Sequence, residues 1–395
     1  MYILTRMRVL YIHNDYAKPS GEETAAEAIV ALLREHGHEV SWHRRSSAEV
    51  AGSALGKIKS LFTGVWNPCE AHRVKRVVSE SKPDIVQVQN IYPLLSPSLF
   101  PALKSCGVPV VMRCPNYRLF CPNGLCCDMQ GKVCEECFGG HEWRCAMKNC
   151  TGSRLKSFGY ALRGWGARVT RRILGNVDVF IVQTEFQRQK FIQQGIPEKK
   201  LAILPGIMQK MQPADEWQPG NYVSYIGRCS EEKGILEFIE CARRLPDLPF
   251  MVAGSYDGMT GLRESSPSNV TWTGFLKDEA LRKAFLDSRM VVVPSRCYEG
   301  FPNTIVQAMQ MERPVVAVNL GSSGSIVQEG VTGEKFAPMD VGEMVAKVKA
   351  LYADVERCRK YGQTGRKEAL RLYSRESIYD RLMDIYKMAK DRKKI

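Results

Sequence analysis

Two segments in the second half of the chain combine charged side chains with glycine turns, a pattern that suits phosphate binding. In residues 225–238 (YIGRCSEEKGILEF), an apolar run ends at Gly227, and Arg228 and Lys233 precede a helical pattern. A helix N-terminus flanked by two cations can hold a diphosphate, because the helix dipole and charge-assisted hydrogen bonds both favour an anion. The alternative is that both cations are solvated on an exposed loop.

The second segment is VVVPSRCYEGFPNTIVQAM, residues 291–309. Its apolar run predicts a buried strand, and the loop that follows holds Glu299, Gly300 and Phe301. A helix is expected to begin near Pro302 or Asn303.

Cysteines are concentrated in a third segment, since half of the 14 lie between residues 121 and 150. The chain is long and its N-terminus lacks a signal-peptide pattern, so we expect reduced thiols in the cytosol rather than disulfides. The spacing C-x2-C-x7-C-x4-C predicts a structural zinc site with four thiolates. Buried free thiols and an iron–sulfur cluster are the alternatives, and a catalytic metal is disfavoured. The predicted ligands are Cys134, Cys137, Cys145 and Cys150.

A basic segment follows, because residues 151–177 contain six cations and no Asp or Glu. We predict an amphipathic helix over residues 153–175. One stripe of this helix is apolar and the cations lie opposite or beside it, which is typical of a helix on an anionic membrane. The alternative is a helix that packs its apolar stripe against the core. The stripe is Leu155, Phe158, Leu162, Trp165, Val169 and Ile173, and the cations are Arg154, Lys156, Arg163, Arg168, Arg171 and Arg172.

Composition and periodicity predict the elements that position these residues. The chain has 395 residues, 44% of them hydrophobic, which is more than one hydrophobic core usually accommodates. Short apolar runs alternate with helical stretches in both halves, so we expect an α/β fold with two open parallel sheets and a ligand cleft between the domains. The predicted strands are residues 8–13, 37–43, 84–90, 108–114, 221–227, 249–254, 269–274, 290–294 and 313–318.

The net charge of the chain indicates which classes of molecule it would bind. The formal charge of +14 favours polyanionic partners or a phosphate-bearing substrate. Nucleic acid is not expected, because the basic residues are not interleaved with aromatic residues on a recognisable module. No run approaches the roughly 18 apolar residues that a membrane-spanning helix needs.

Taken in order, four motifs resemble the retaining glycosyltransferases of family 4, which have the two-domain GT-B fold. They are the turn and helix of residues 18–40, GRCSEEKG, the segment 291–309 and GSSGSIVQEGVTG at residues 321–333. The resemblance runs from Arg8 to about Leu372. It implies an N-terminal domain over residues 1–205, a nucleotide-sugar-binding domain over 206–375, and a C-terminal helix over 376–395 that packs back on the first domain.

The resemblance also implies roles for individual residues. Glu299 matches the family residue that contacts the donor sugar, and Arg228 and Lys233 match the pair that holds the donor diphosphate. Gly21 matches a glycine whose backbone approaches the same phosphates. Backbone amides at the start of the helix would reach sugar or phosphate, within the stretch Phe301, Pro302, Asn303 and Thr304.

Two positions depart from the family pattern. Gln307 stands where the family has a second Glu that accepts hydrogen bonds from the nucleotide ribose, and an amide oxygen accepts without the added strength of charge. Pro115 stands where related sequences have a His, and proline can neither titrate nor hydrogen-bond through its side chain. Of the other histidines, His13 at the end of the first strand is a weak candidate for the site, and His43 and His72 have no supporting context.

The expected function is therefore transfer of a sugar from a nucleoside diphosphate sugar to a saccharide or lipid-linked saccharide acceptor, with retention, in polysaccharide or envelope glycan synthesis. No cofactor is required for that reaction. One alternative is a nucleotide-sugar-binding protein that has lost transfer. Another is a GT-B epimerase, which would need acid and base groups around the sugar that the sequence does not supply. The expected location is the cytoplasm, with peripheral binding to the inner face of the membrane.

Overall fold

The computed structural model describes residues 6–17, 21–52, 56, 60, 62–208 and 211–393. The chain divides into two compact units. Unit 1 comprises Met1–Met129, Cys134–Ile207 and Ile378–Ile395, and unit 2 comprises Gln130–Val133 and Met208–Ser377. The chain thus returns to unit 1 at its C-terminus, while four residues of the cysteine-rich segment group with unit 2.

Unit 1 is built on a parallel six-stranded sheet in the order β2-β1-β3-β4-β5-β6. Its inner strands β1, β3, β4 and β5 are apolar runs whose side chains are almost all buried, as expected when helices cover both faces, whereas the edge strands β2 and β6 are partly exposed. The strands are β1 Arg8–Asp15, β2 Glu39–Ser46, β3 Ile85–Val88, β4 Val110–Arg113, β5 Val179–Val182 and β6 Leu201–Ile203.

The helices of unit 1 connect these strands and cover the sheet. Helix α3 begins after Asn67, whose side chain accepts a hydrogen bond from the Glu70 amide, and it has proline in its first turn. The helices are α1 Gly21–Glu35, α2 Ala48–Ala51, α3 Pro68–Ser81, α4 Leu99–Ser105, α5 Trp143–Met147, α6 Arg154–Val169 and α7 Glu185–Gln193.

Unit 2 contains a second parallel six-stranded sheet, in the order β12-β11-β10-β7-β8-β9. Numbered within the unit, this is the 3-2-1-4-5-6 order of dinucleotide-binding folds read from the opposite edge. The strands are β7 Tyr222–Ile226, β8 Phe250–Ala253, β9 Val270–Gly274, β10 Ser288–Val293, β11 Val315–Val318 and β12 Gly333–Phe336.

A short 3₁₀ turn, Glu231–Lys233, precedes the first helix of unit 2. The helices after it are α8 Ile235–Arg244, α9 Thr260–Glu264, α10 Asp278–Leu286, α11 Asn303–Gln310, α12 Gly321–Ile326, α13 Val341–Ala353 and α14 Val355–Tyr373.

The last helix, α15 Arg375–Lys393, packs into the core of unit 1 beside β1 and β3. Ile378, Leu382 and Tyr386 are fully buried there, and the Tyr386 hydroxyl donates to Gln87 Oε1 of β3. Among the described residues, no helix combines the length and the apolar character needed to cross a bilayer.

The strand pattern read from the sequence agrees with both sheets. The predicted basic helix over residues 153–175 is wrong at its end, because α6 stops at Val169 and a turn follows. Strands β5, β6 and β12 were not among the predicted strands, although each belongs to a sheet.

Candidate functional site

Strands β7 and β10 are neighbours in the sheet of unit 2, and they mark the point where the strand order reverses. Ligands of such sheets bind beyond the carboxyl ends of the strands at this reversal. The loop after β7 carries Arg228 and Lys233, and the loop after β10 carries Glu299. The three residues predicted to do chemistry are therefore placed by topology at the expected position.

Lys233 and Glu299 form a close ion pair across this reversal. The Lys233 ammonium donates to both carboxylate oxygens of Glu299, at 2.6 and 2.5 Å. The Ser295 hydroxyl also donates to Glu299 Oε1, at 2.6 Å. The Glu299 side chain is only 11% exposed, so its charge depends on these donors. Sequence analysis had not singled out Ser295.

The charge state of Lys233 follows from two opposing effects. Burial alone would lower the pKa of its ammonium, but the charge and hydrogen bonds of Glu299 outweigh burial, and the pKa is raised. Lys233 therefore stays cationic at neutral pH. An anion that binds here would meet a lysine already fixed in place by Glu299.

Arg228 is oriented by a different carboxylate. Its side chain is 63% exposed, and Nη2 donates to Glu232 Oε1 at 2.7 Å. The Arg228 carbonyl accepts a hydrogen bond from the Tyr225 hydroxyl at 2.7 Å. The guanidinium thus lies at the surface, with donors available to a ligand, while its backbone is held.

Two glycines allow the site loops to pack closely against neighbouring backbone. Gly234 has a φ of +76°, and a Cβ there would lie 2.0 Å from the Pro294 carbonyl oxygen. A Cβ on Gly254 would lie 1.7 Å from the Gly227 carbonyl oxygen. Any side chain at either position would displace a loop that carries Arg228, Lys233 or Glu299.

The start of α11 is less open to a ligand than the sequence suggested. Pro302 has no N–H, and the Asn303 amide donates to the Phe301 carbonyl at 3.0 Å. Phe301 itself is buried against Tyr373. Within the described part of the chain, the backbone amides in this stretch without a backbone acceptor are those of Phe301 and Thr304. The Thr304 hydroxyl donates to the Ile226 carbonyl and the Ser322 hydroxyl to the Gly300 carbonyl, which tie the two loops to their neighbours.

Gln307 lies one turn further along α11 and is half-buried. Its carbonyl accepts the helical hydrogen bond from Met311, and none of the groups that the structure describes hydrogen-bonds with its side-chain amide. The amide is therefore available to a ligand.

Gly21 belongs to unit 1, where it opens α1. A Cβ at this position would meet nothing within 4 Å, so packing within the protein does not require glycine here. A need for close backbone approach to a ligand stays a prediction.

The histidines are placed as follows. His43 pairs with the buried Glu70 at 2.6 Å, which is a structural contact, and His72 is exposed. His13 is fully buried with neither ring nitrogen hydrogen-bonded, and burial lowers its pKa although Asp15 lies 3.6 Å away. His13, Asp15 and Glu23 form the one group among the described residues in which three potential metal ligands lie within 4.8 Å of one another.

The cysteine-rich segment does not arrange the four predicted zinc ligands as such a group, but its thiols share one neighbourhood. Cys121 interacts electrostatically with each of the four. A hydrogen bond from Cys126 and nearby backbone amides lower the pKa of Cys121 to about 7. A hydrogen bond from Cys145 lowers the pKa of Cys150, and the pKa of Cys145 is raised in turn. All 14 cysteines are free thiols.

Helix α6 orients its apolar stripe outward. Leu155, Phe158, Trp165 and Val169 are between 40 and 59% exposed, whereas the face toward the protein carries small residues such as Ala161 and Ala167. The alternative of a core-facing apolar stripe is therefore wrong at these four residues, whereas Leu162 is half-buried and Ile173, beyond the end of α6, is buried. Arg163 lies on the side of α6 opposite this stripe, where it is buried between two tyrosine rings rather than solvated.

Three arginines of unit 1, two of them buried and the third half-buried, are withdrawn from solvent in a way that the sequence patterns did not indicate. Arg113 ends β4, Arg118 follows it in the next loop, and Arg163 is on α6. The sequence offers no signal that distinguishes them from surface cations, because their burial depends on contacts between distant segments.

Comparison with known proteins now adds to this geometry. A family model described as "Glycosyl transferase 4-like domain" matches residues 20–206, and one described as "Glycosyl transferases group 1" matches residues 220–354. Each match coincides with one of the two units and its sheet.

Among individual relatives, alpha-D-kanosaminyltransferase of Streptomyces kanamyceticus is 32% identical over 42% of this chain and 45% of its own length. O-antigen chain mannosyltransferase C of Escherichia coli is 26% identical over 42% of this chain and 46% of its own length. Putative glycosyltransferase EpsD of Bacillus subtilis is 32% identical over 60% of this chain and 66% of its own length. The chain spans less than half the length of the first two relatives.

Solved structures share the fold along nearly the whole chain. Sucrose-phosphate synthase of Thermosynechococcus elongatus superposes with a TM-score of 0.72 at 16% identity, over 97% of this chain and 98% of that chain. HepE of Anabaena, solved with UDP and glucose, superposes with a TM-score of 0.65 at 15% identity, over 96% and 99%. With two parallel six-stranded sheets and both family models matched, the chain belongs to the group 1 glycosyltransferases of the GT-B fold.

Proposed function

We propose that the protein is a retaining glycosyltransferase that takes a sugar from a nucleoside diphosphate sugar held at the β7–β10 reversal of unit 2. The observation that carries this proposal is the Lys233–Glu299 pair, with Arg228 beside it, at the carboxyl edge of that sheet. The cations would neutralise the diphosphate, and Glu299 would accept hydrogen bonds from sugar hydroxyls. Gln307 would accept one from the ribose, and the Phe301 and Thr304 amides would donate to the ligand.

The relatives support a sugar donor of this class. HepE has been solved with UDP-glucose, one relative is named as an O-antigen chain mannosyltransferase, and another is named as a capsular polysaccharide biosynthesis glycosyltransferase. The acceptor proposed here is accordingly a saccharide or lipid-linked saccharide in glycan synthesis.

Transfer with retention requires that the new bond form on the face that the leaving group occupied. The bond from the anomeric carbon to the donor phosphate oxygen breaks, and the acceptor oxygen bonds to the same carbon. The acceptor's proton passes to the departing phosphate oxygen, so no side-chain base is needed at Pro115. Arg228 and Lys233 would stabilise the charge that develops on the leaving diphosphate.

The first experiment is a thermal-shift panel of UDP, GDP, ADP and their sugars. A ligand that binds the native state raises the unfolding midpoint, so a cognate nucleotide should give a shift that the others do not. Glu299→Gln should retain the nucleotide shift but lose most of its transfer activity. NMR of the product should show the anomeric configuration of the donor. An inverted product would reject retention, and no nucleotide shift at all would reject the donor site.

The same panel distinguishes the alternatives. A protein that binds a nucleotide sugar but neither transfers nor hydrolyses it would match the degenerate binding protein suggested by Pro115 and Gln307. Conversion of the free donor to a second nucleotide sugar would indicate an epimerase.

We also propose that α6 holds the protein on an anionic membrane. Phe158 and Trp165 are exposed beside Trp143, at ring distances of 5.5 and 6.2 Å from it, and form an aromatic surface cluster. Lys156 and Arg171, at either end of the helix, are exposed cations. An apolar stripe flanked by cations suits insertion at the level of acidic headgroups. One relative, alpha-galactosylglucosyldiacylglycerol synthase, is named for a lipid product.

Vesicle co-sedimentation tests this surface. Phe158→Ser with Trp165→Ser should release the protein from vesicles of phosphatidylglycerol and phosphatidylcholine. The matched control is Phe275→Ser in unit 2, which removes an aromatic side chain that is 68% exposed. Replacing Lys156 and Arg171 with Gln should weaken binding about fivefold per charge, from roughly 1 kcal/mol each. If the parent protein does not sediment with these vesicles, the membrane proposal is rejected.

A further inference from the structure

We infer that unit 1 contains a binding site for an oxyanion, centred on Arg118, and that the sugar acceptor therefore carries a carboxylate or a phosphate. Arg118 lies in the loop after β4, at the same carboxyl edge of the sheet as Asn90, which follows β3. Strand β3 is bonded to β1, where the strand order of this sheet reverses. Topology thus places Arg118 where open α/β sheets bind ligands.

The charges around Arg118 are not balanced. Arg118 is half-buried, its Nη1 donates to Asn90 Oδ1 at 3.2 Å, and its guanidinium interacts with the Tyr16 hydroxyl. Its Nε is buried and has no hydrogen-bond partner among the described residues. Arg163 is 7% exposed, and its guanidinium stacks on Tyr92 at 4.1 Å and Tyr160 at 3.7 Å. Its one hydrogen bond is from Nη2 to the Pro122 carbonyl, at 3.3 Å.

Arg113 adds a third cation. It is 1% exposed, donates to Gln89 Oε1 at 3.4 Å and leaves Nε unpaired. Among the residues that the structure describes, no carboxylate lies within 4.0 Å of any of the three guanidinium groups. Glu22 is the acidic group that interacts with Arg113 and Arg118 at longer range, and its Oε1 accepts from Asn116 at 2.6 Å. The buried Arg113 and Arg163 and the half-buried Arg118, with Glu22 as the carboxylate near two of them, leave an excess of positive charge that a bound anion would neutralise.

A cavity opens at Arg118. Its volume is about 240 Å³, and its wall includes Tyr92, Phe120, Gly140 and Gly164. Drug-sized ligands occupy cavities of roughly 300–1,000 Å³, so this one suits a ligand of about one sugar unit. Arg168 also lines it, but Glu142 pairs with Arg168 at 2.6 Å and neutralises it. A smaller cavity of about 30 Å³ is lined by both Arg113 and Arg118.

The cavity wall and the charge of Arg118 together indicate the chemical class of the ligand. The Tyr92 and Phe120 rings line the cavity, where a sugar ring would pack against them, and the bidentate guanidinium of Arg118 matches a carboxylate or phosphate. Calling this ligand the acceptor rests on the proposed function, whereas the presence of an anion site does not.

The experiment measures binding of three probes by saturation-transfer NMR and isothermal titration: methyl glucuronide, glucose 6-phosphate and neutral methyl glucoside. The full chain is used with Arg228→Ala and Lys233→Ala, so that anions cannot occupy the proposed donor site. We expect at least one acidic probe to bind about tenfold or more tightly than the neutral one, as a charge-assisted contact provides. The stronger acidic probe identifies the source of the oxyanion.

Variants of Arg118 test whether this residue is responsible for the preference for an acidic probe. Arg118→Gln should remove the preference for the acidic probe, and Arg118→Lys should keep part of it while losing the bidentate contact. Arg144→Gln is the matched control, because it removes the same charge from an exposed position of unit 1 outside the cavity. Each variant's unfolding midpoint is recorded, and if Arg118→Gln does not fold, Arg118→Lys decides the question.

Equal binding of acidic and neutral probes, no binding of any probe, or an unchanged preference in the folded Arg118 variants would overturn the inference. The proposed function fails separately, because it depends on the nucleotide panel in the protein with Arg228 and Lys233 intact.

Discussion

Lys233 and Arg228 follow the same strand, but they differ in what holds them before a ligand binds. Lys233 is paired with a carboxylate that is almost buried, while Arg228 is paired at the surface with Glu232. The two cations should therefore respond differently when each is removed, although both are proposed to contact the same diphosphate.

For Arg228→Ala we expect a tenfold to hundredfold loss of kcat/KM, from about 1.5–3 kcal/mol for a charge-assisted contact, with little change in stability. Lys233→Ala should cause a similar kinetic loss and also destabilise the fold. It leaves Glu299 with Ser295 alone, and we expect a cost of about 2 kcal/mol, below the value for a fully buried pair because Lys233 is partly exposed.

Urea unfolding and initial rates of donor hydrolysis and transfer measure the two effects separately. Near-parent kinetics in both variants would move the donor site away from this loop. Equal stability of both variants would contradict the structural role of Lys233.

Gln307 gives a second prediction at the scale of single residues. Its amide is available on α11, so Gln307→Glu should preserve nucleotide affinity or raise it by up to about tenfold, because a charged acceptor strengthens hydrogen bonds from ribose hydroxyls. Gln307→Ala is the matched control and should lower affinity. Titration with the cognate nucleotide measures both. A weaker Glu variant would show that the site is built around an amide.

At the scale of elements, strands were more predictable than helix orientation. Parallel strands covered on both faces are uninterrupted apolar runs, so RVLYIH, VPVVMRC and MVVVP predicted β1, β4 and β10 directly. Strand β12 (GEKF) was missed because its register with β11, rather than its own hydrophobicity, makes it a strand.

Helix α6 shows why periodicity alone does not orient a helix. Its apolar stripe was correctly identified, but the same stripe serves a core or a membrane equally well. Its opposite face carries small residues that allow close packing, and it also carries Arg163, which is buried although periodicity gives no sign of this. The aromatic pocket that accepts Arg163 is formed by Tyr92 and Tyr160, and the first of these is far away in the sequence.

The cysteine-rich segment gives a prediction at the same scale. We still predict one structural zinc per chain, with thiolates from among Cys134, Cys137, Cys145 and Cys150, and we now add Cys121 as a candidate. Its pKa of about 7 favours the thiolate, the form that binds zinc. The thiols would have to move closer together when the metal binds, because the four predicted ligands are not gathered as a ready group.

Elemental analysis of protein purified without added metal tests this prediction. Cys137→Ser should remove the zinc and open residues near 121–150 to proteolysis, since a structural metal stabilises the segment it organises. Cys69→Ser, at an exposed thiol on α3, is the control and should retain the metal. Metal-free parent protein with a protease-resistant segment would mean that these thiols are packing residues.

In the whole molecule, the chain forms two parallel sheets, and its last helix, α15, packs in the unit that contains the first sheet. The charged sequence of this helix alone does not indicate which domain it contacts. The family resemblance predicts that it packs on the first domain. The structure shows the contacts: His38 Nε2 bonds the Tyr379 hydroxyl at 2.7 Å, and Arg392 donates to the Asp178 carbonyl. Residues more than 200 positions apart are thereby joined within unit 1.

Because α15 packs in unit 1, a substitution in its buried face should destabilise unit 1 and not unit 2. Leu382 on α15 is fully buried in the core of unit 1, so Leu382→Ala should destabilise that unit by about 2–5 kcal/mol through lost burial and the cavity left behind. Leu370→Ala on α14, where the side chain is 43% exposed, is the matched control and should cost little. Hydrogen exchange followed by mass spectrometry should show faster exchange in peptides from β1 and β3, with peptides from β8 as the internal reference. Faster exchange in β8 alone would contradict the assignment of α15 to unit 1, because the lost methyl groups would then have been stabilising the other sheet.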